Sequence, residues 1–80
     1  MKAIVHVKLK PGVLDPQGQA ICGALHGLGY AEVVDVTQGK VIELDLQGSD
    51  HVLAKQRVEA MCGQLLANTV IEQFDVEIVD

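Results

Sequence analysis

The apolar residues of this chain switch repeatedly between two spacings, every second residue and every third or fourth, and this alternation restricts the fold more than any other feature. Residues 3 to 9 put Ala3, Val5, Val7 and Leu9 on one face and Ile4, His6 and Lys8 on the other, which is a strand. Asp15-Pro16 then sets an N-cap carboxylate before the proline favoured at the first helical position. Ile21, Ala24, Leu25 and Leu28 follow as a helical stripe, closed by Gly29 as a left-handed cap. Ala31 to Thr37 and Val41 to Gln47 return to period two, with Gln38-Gly39-Lys40 as a hairpin connection. Gly48-Ser49-Asp50 breaks the pattern and caps a second helix, with Ala54, Val58, Met61, Cys62 and Leu65 on one face and Asn68 at its end. Val70 to Val79 closes the chain as a strand, alternating Phe74, Val76 and Ile78 with Asp75, Glu77 and Val79.

This order predicts an α+β fold of ferredoxin-like type, β-α-β-β-α-β, with a four-stranded antiparallel sheet and both helices on one face. The first strand then lies between the third and the fourth. Lys8 and His6 face Glu43, Asp45, Asp75 and Glu77 on the helix-free side, with Ile4 and Val41 among them. The 80 residues form one domain, 1–80, with no room for a second. A domain of this size buries only about 60% of the surface its unfolded chain exposes, so a homodimer or higher assembly is expected to complete its core. Exchange of the last strand between subunits stays open. Apolar residues make up 49% of the chain while the aromatics are Tyr30 and Phe74, so the core is aliphatic. Gly23 and Gly27 stand four apart on the far side of the first helix, each costing ~1 kcal/mol relative to alanine. Close contact there and tolerance on a solvated face are equally open.

The composition also excludes functions. A net charge of −5 repels a phosphate backbone, and two aromatics make no stacking platform, so nucleic acid is not a partner. No apolar run reaches the ~20 residues of a spanning helix, and Met1 to His6 show no secretory h-region, so a soluble, cytosolic protein is expected. His6, His26 and His51 are dispersed, with no His or Cys pair at metal-ligand spacing. Cys22 and Cys62 lie within helical patterns as reduced structural thiols. No Gly-x-x-x-x-Gly-Lys run cradles a phosphate. No catalytic, cofactor or metal residue is therefore expected in this chain. The segment Lys10 to Gly18 is ordered by Pro11, Gly12 and Asp15-Pro16, as befits a strand-to-helix connection.

Leu9-Lys10-Pro11-Gly12-Val13-Leu14-Asp15-Pro16-Gln17-Gly18 closely resembles the signature of the small-subunit family of formylglycinamide ribonucleotide amidotransferase, the PurS family. Ala24-Leu25 with Leu28-Gly29, Gly39-Lys40 with Ile42-Glu43-Leu44, and Leu65 to Asn68 with Val70-Ile71-Glu72 resemble its other segments in order and spacing. The resemblance implies the non-catalytic small subunit of phosphoribosylformylglycinamidine synthase in purine biosynthesis. Such a subunit forms dimers that bridge a glutaminase and a large synthetase and help complete the ammonia path between them; the assembled complex uses ATP and magnesium. It directs attention to Lys10, Gly12, Asp15, Gly18, Gly39 and Lys40 as partner contacts. Thr37 and Thr69 depart from the arginine and proline that relatives often carry there. The topology also fits an ACT-type regulatory dimer that senses a small ligand. An acylphosphatase-like enzyme has less support, because no arginine lies near the first loop.

Overall fold

The computed structural model describes residues 1–80. Its elements are β1 (Lys2–Leu9), α1 (Pro16–Gly27), β2 (Gly39–Asp45), α2 (His51–Met61), a π-turn (Cys62–Leu66) and β3 (Glu72–Val79). The three strands form an antiparallel sheet in the order β2-β1-β3, so the N-terminal strand is central, as the ferredoxin-like order of elements predicts. Val5 sits opposite Ile42 and Val76, and Ala3 opposite Leu44 and Ile78, which lines up the aliphatic face under α2. On the other face Ile4 lies between Glu43 and Glu77 and His6 between Val41 and Asp75, as predicted, but Lys8 stands between Gly39 and Gln73 and not opposite a carboxylate. Lys2 reaches Glu43 there at 3.6 Å, an exposed pair of small energetic consequence.

The core consists of Ala3, Val5, Val7, Val58, Cys62, Ala67 and Val76, with Ile42, Leu44, Leu46, Met61, Leu66, Phe74 and Ile78 packed at its margin. It contains no polar group. The second helix departs from the expected stripe at its end. Val58 and Cys62 are buried as predicted, but Leu65 is 84% exposed and Leu66 takes its place at the core. The π-turn widens the last turn by a residue and so rotates the following side chains. Asn68 then organises the reversal into β3: its carbonyl accepts from the N–H groups of Ile71 and Glu72, while the Glu72 carboxylate accepts from the N–H of Asn68. The last strand thus starts at Glu72, two residues after the expected Val70.

Two expectations need correction. Ala31 to Thr37 is not a strand in this chain; Ala31 and Glu32 form a turn and residues 33–38 pair with no sheet. Nor do both helices cover the sheet. α2 lies along β3, but no residue of α1 belongs to the core or packs at its margin. α1 and residues 33–38 instead form an arm that extends the molecule to 49 × 26 × 14 Å, with a radius of gyration of 16.0 Å. A compact 80-residue domain would have about 12 Å. The arm is held to itself: Asp15 at the start of α1 accepts from the N–H of Gln38, and His26 near its end contacts the carbonyl of Val33 at 2.6 Å. With those local bonds made, residues 33–38 run back beside α1, and the outer edge of β2 stays unpaired. Leu14, Leu28 and Tyr30 are consequently more than half exposed, and Ile21 is 41% exposed.

Candidate functional site

The predicted site residues meet where the arm joins the sheet. β1 ends at Leu9, and the Lys10 N–H is anchored to the carbonyl of Ile71 at 2.8 Å. A turn closed by the Val13 N–H on the Lys10 carbonyl follows, with Gly12 at φ 86°, a left-handed conformation that suits glycine. The chain then reaches Asp15, whose carboxylate accepts from the N–H of Gly18 at 2.9 Å, capping α1, and from the N–H of Gln38 at 2.9 Å. These two donors hold the Asp15 carboxyl below the ordinary aspartate range, with the Gln38 bond the larger cause.

The glycines mark close backbone approaches. A side chain at Gly18 would stand 2.2 Å from the carbonyl oxygen of Val36, and one at Gly39 would stand 2.6 Å from that of Val7. Lys40 continues β2 on the α2 side of the sheet, with its ammonium 4.0 Å from the Glu72 carboxylate. Lys10, Gly12 and Asp15 line one depression with Val36 and Gln38, while Asp15, Gly39 and Lys40 line a second beside it. Gly18 lines neither and is bound to Asp15 through its N–H. Gln38, Val36 and Glu72 complete the arrangement and were not singled out by sequence. The partnership of Asp15 with a residue 23 positions away leaves no local signature.

This site supplies cations, exposed backbone and a rigid clamp, but no nucleophile beside a base. Lys10 and Lys40 are both exposed at the surface. The chain contains no group of three or more metal-ligating side chains. A cysteine–histidine approach does occur on α1, where the Cys22 sulfur lies 3.8 Å from Nε2 of His26, a spacing of four residues that the sequence reading passed over. The same Nε2 lies 2.6 Å from the Val33 carbonyl, so its proton is committed there and it offers the thiol no acceptor. Cys62 is fully buried, and removal from water, followed by the nearby Glu59, pushes its thiol above the ordinary range.

Because the Asp15 carboxyl is depressed in the folded protein, its contribution to stability is present above the ordinary aspartate range and is lost as pH falls through and below it. Asp15→Ala should therefore lower the melting temperature at neutral pH, and the difference from the parent should shrink in acid. Thermal scans at pH 7 and pH 3 check this; an equal difference at both would show that the carboxylate charge is immaterial.

No helix is long and apolar enough to cross a membrane. Residues 2–80 match the PurS family, described as phosphoribosylformylglycinamidine (FGAM) synthase. The PurS subunit of that synthase from Bacillus subtilis (strain 168) is 51% identical over 77 residues, 96% of this chain and 90% of its own length. A solved Bacillus subtilis PurS structure superposes with a TM-score of 0.88 at 49% identity, covering 99% of this chain and 98% of that one. A chain of the PurLQS structure from Thermotoga maritima gives a TM-score of 0.86 at 29% identity, covering 95% of this chain and 93% of its own. With nearly its whole length matched in sequence and in shape, the chain belongs to the PurS family.

Proposed function

We propose that this chain is the small subunit of phosphoribosylformylglycinamidine synthase, a glutamine- and ATP-dependent carbon–nitrogen ligase of purine biosynthesis, and that it works by assembly. The observation that carries this reading is the similarity over nearly the full chain to a member of the Thermotoga maritima PurLQS structure. The chain's own geometry agrees with it. A small aliphatic core, an arm with no internal partner and a site without a nucleophile or phosphate cradle suit a subunit that holds others in register.

In this reading the chain acts as a homodimer in the cytoplasm, bridges the glutaminase and the large synthetase, and helps complete the path of ammonia between them. It contributes no catalytic group; ATP and magnesium are used by the synthetase. Affinity capture of the tagged chain from its own cell extract, with glutamine and a magnesium nucleotide present, tests this. Recovery of a glutaminase and a large ATP-dependent synthetase is expected, and recovery of neither would refute the reading.

Lys10 and Lys40, with Gly12, Asp15, Gly18 and Gly39 shaping the surface around them, are the proposed contacts with the partner subunits. Truncating either lysine opens no core cavity, so Lys10→Ala and Lys40→Ala should change stability by less than about 0.5 kcal/mol. If they anchor an interface, each should weaken assembly by more than ~1 kcal/mol, about fivefold or more in affinity. Titration of each variant into the purified partners measures this. Unchanged affinity for both variants would move the partner surface elsewhere.

A further inference from the structure

Helix α1 brings two metal-ligating side chains to one point. Cys22 and His26 are four residues apart and so project from the same face of the helix, and the Cys22 sulfur lies 3.8 Å from Nε2 of His26. A thiolate and an imidazole on one tetrahedral zinc ion, bound at roughly 2.3 Å and 2.0 Å, stand about 3.6 Å apart. The pair already has nearly that spacing, and a small side-chain rotation supplies the rest. Both groups can be reached from solvent, since Cys22 is half buried and His26 is exposed.

A third donor stands at the same place. The return of residues 33–38 along α1 carries the Val33 carbonyl oxygen to 2.6 Å from Nε2. Nitrogen and oxygen ligands of a tetrahedral zinc ion are about 3.4 Å apart, so an outward movement of about 0.8 Å brings this carbonyl into the coordination sphere. Val33 belongs to a segment that pairs with no strand, and the movement breaks no sheet hydrogen bond. The net charge of −5 favours a cation. Sulfur with imidazole selects zinc over magnesium or calcium, which take oxygen ligands.

We infer that Cys22 and His26 form a zinc-binding clip, with the Val33 carbonyl as third donor and the fourth position left to water. Binding changes the protonation of both side chains. The thiol gives its proton to solvent and binds as thiolate, while the ring exchanges its Nε2 proton for the metal and takes one up at Nδ1, remaining neutral. One proton is therefore released for each ion bound. The open fourth position sets the clip apart from closed structural zinc sites and leaves the ion exchangeable. The clip lies at the end of α1 opposite the Asp15 clamp, and Cys62, fully buried, takes no part in it.

Cobalt(II), whose colour reports its ligands, is the probe. Titrated into the metal-free full chain at neutral pH, it should give a thiolate charge-transfer band that saturates at one ion per chain, releases one proton per ion and is bleached by zinc. Cys22→Ser should abolish the band. His26→Gln keeps a donor for the Val33 carbonyl and should weaken binding at least tenfold. No band, a band that survives Cys22→Ser, full affinity in His26→Gln, or saturation at one ion per two chains would each overturn the clip. Alkylation of the parent chain by iodoacetamide, read by mass spectrometry, supplies a second measurement that needs no variant. Zinc should slow modification of Cys22 at least tenfold, and an unchanged rate would count against the site.

Discussion

Gly18→Ala should destabilise the protein by about 2–3 kcal/mol, the upper part of the ~1–3 kcal/mol range for forcing an extra methyl into a packed site. The added carbon would lie 2.2 Å from the Val36 carbonyl oxygen and 2.6 Å from Oδ2 of Asp15. The first obstacle is backbone, and the second is the carboxylate that joins α1 to Gln38, so relief requires the arm to open. For a domain of this size the melting temperature should fall by roughly 10–20 °C. Gly23→Ala is the matched control. Nothing lies within 4 Å of an alanine methyl there, and the change should stabilise α1 by up to about 1 kcal/mol. Thermal denaturation of both variants measures the contrast, and equal effects would show that the contact between Gly18 and Val36 is dispensable.

Val58→Ala should have a comparable effect for a different reason. Val58 is fully buried and, with Cys62, attaches α2 to the sheet through Val5, Val7 and Val76. Removing two methyl-sized groups forfeits about 1.6 kcal/mol of burial, and the cavity left under the helix brings the loss to roughly 2–3 kcal/mol. Since a protein of this size is stable by only about 4–12 kcal/mol, that is a large fraction. Urea denaturation should show a lower midpoint with an unchanged slope. A midpoint within error of the parent would mean that α2 is held by other contacts.

The parts of the fold legible in the sequence are those governed by local period. The order of elements put β1 at the centre of the sheet, and Asp15-Pro16 and Asp50 cap the helices they were expected to cap. The split of charged and apolar residues between the faces of β1 also follows from its pleat. What escaped depended on contacts far along the chain. Residues 31–37 have the right alternation, but alternation specifies only which side is apolar, not whether a neighbouring strand lies within reach. Likewise, the stripe of α1 states that Ile21, Leu25 and Leu28 favour cover without saying what provides it. The π-turn moved Leu66 into the place expected for Leu65, because one widened turn is invisible to a regular helical count. For the site, the rigidity of Lys10 to Gly18 could be read from Pro11, Gly12 and Asp15. Its attachment to Gln38 could not, since that bond joins segments brought together only by the arm.

The central claim is that this chain is a structural subunit which makes glutamine usable by its partners, and reconstitution with the purified glutaminase and synthetase tests it most directly. Synthesis of the amidine should be measured with ATP and magnesium, once with glutamine and once with free ammonia as the nitrogen source. The account predicts that the chain alone catalyses neither reaction, that ammonia-dependent synthesis by the large subunit proceeds without it, and that glutamine-dependent synthesis appears only when all three are combined. Full glutamine-dependent synthesis in the absence of this chain would contradict the account.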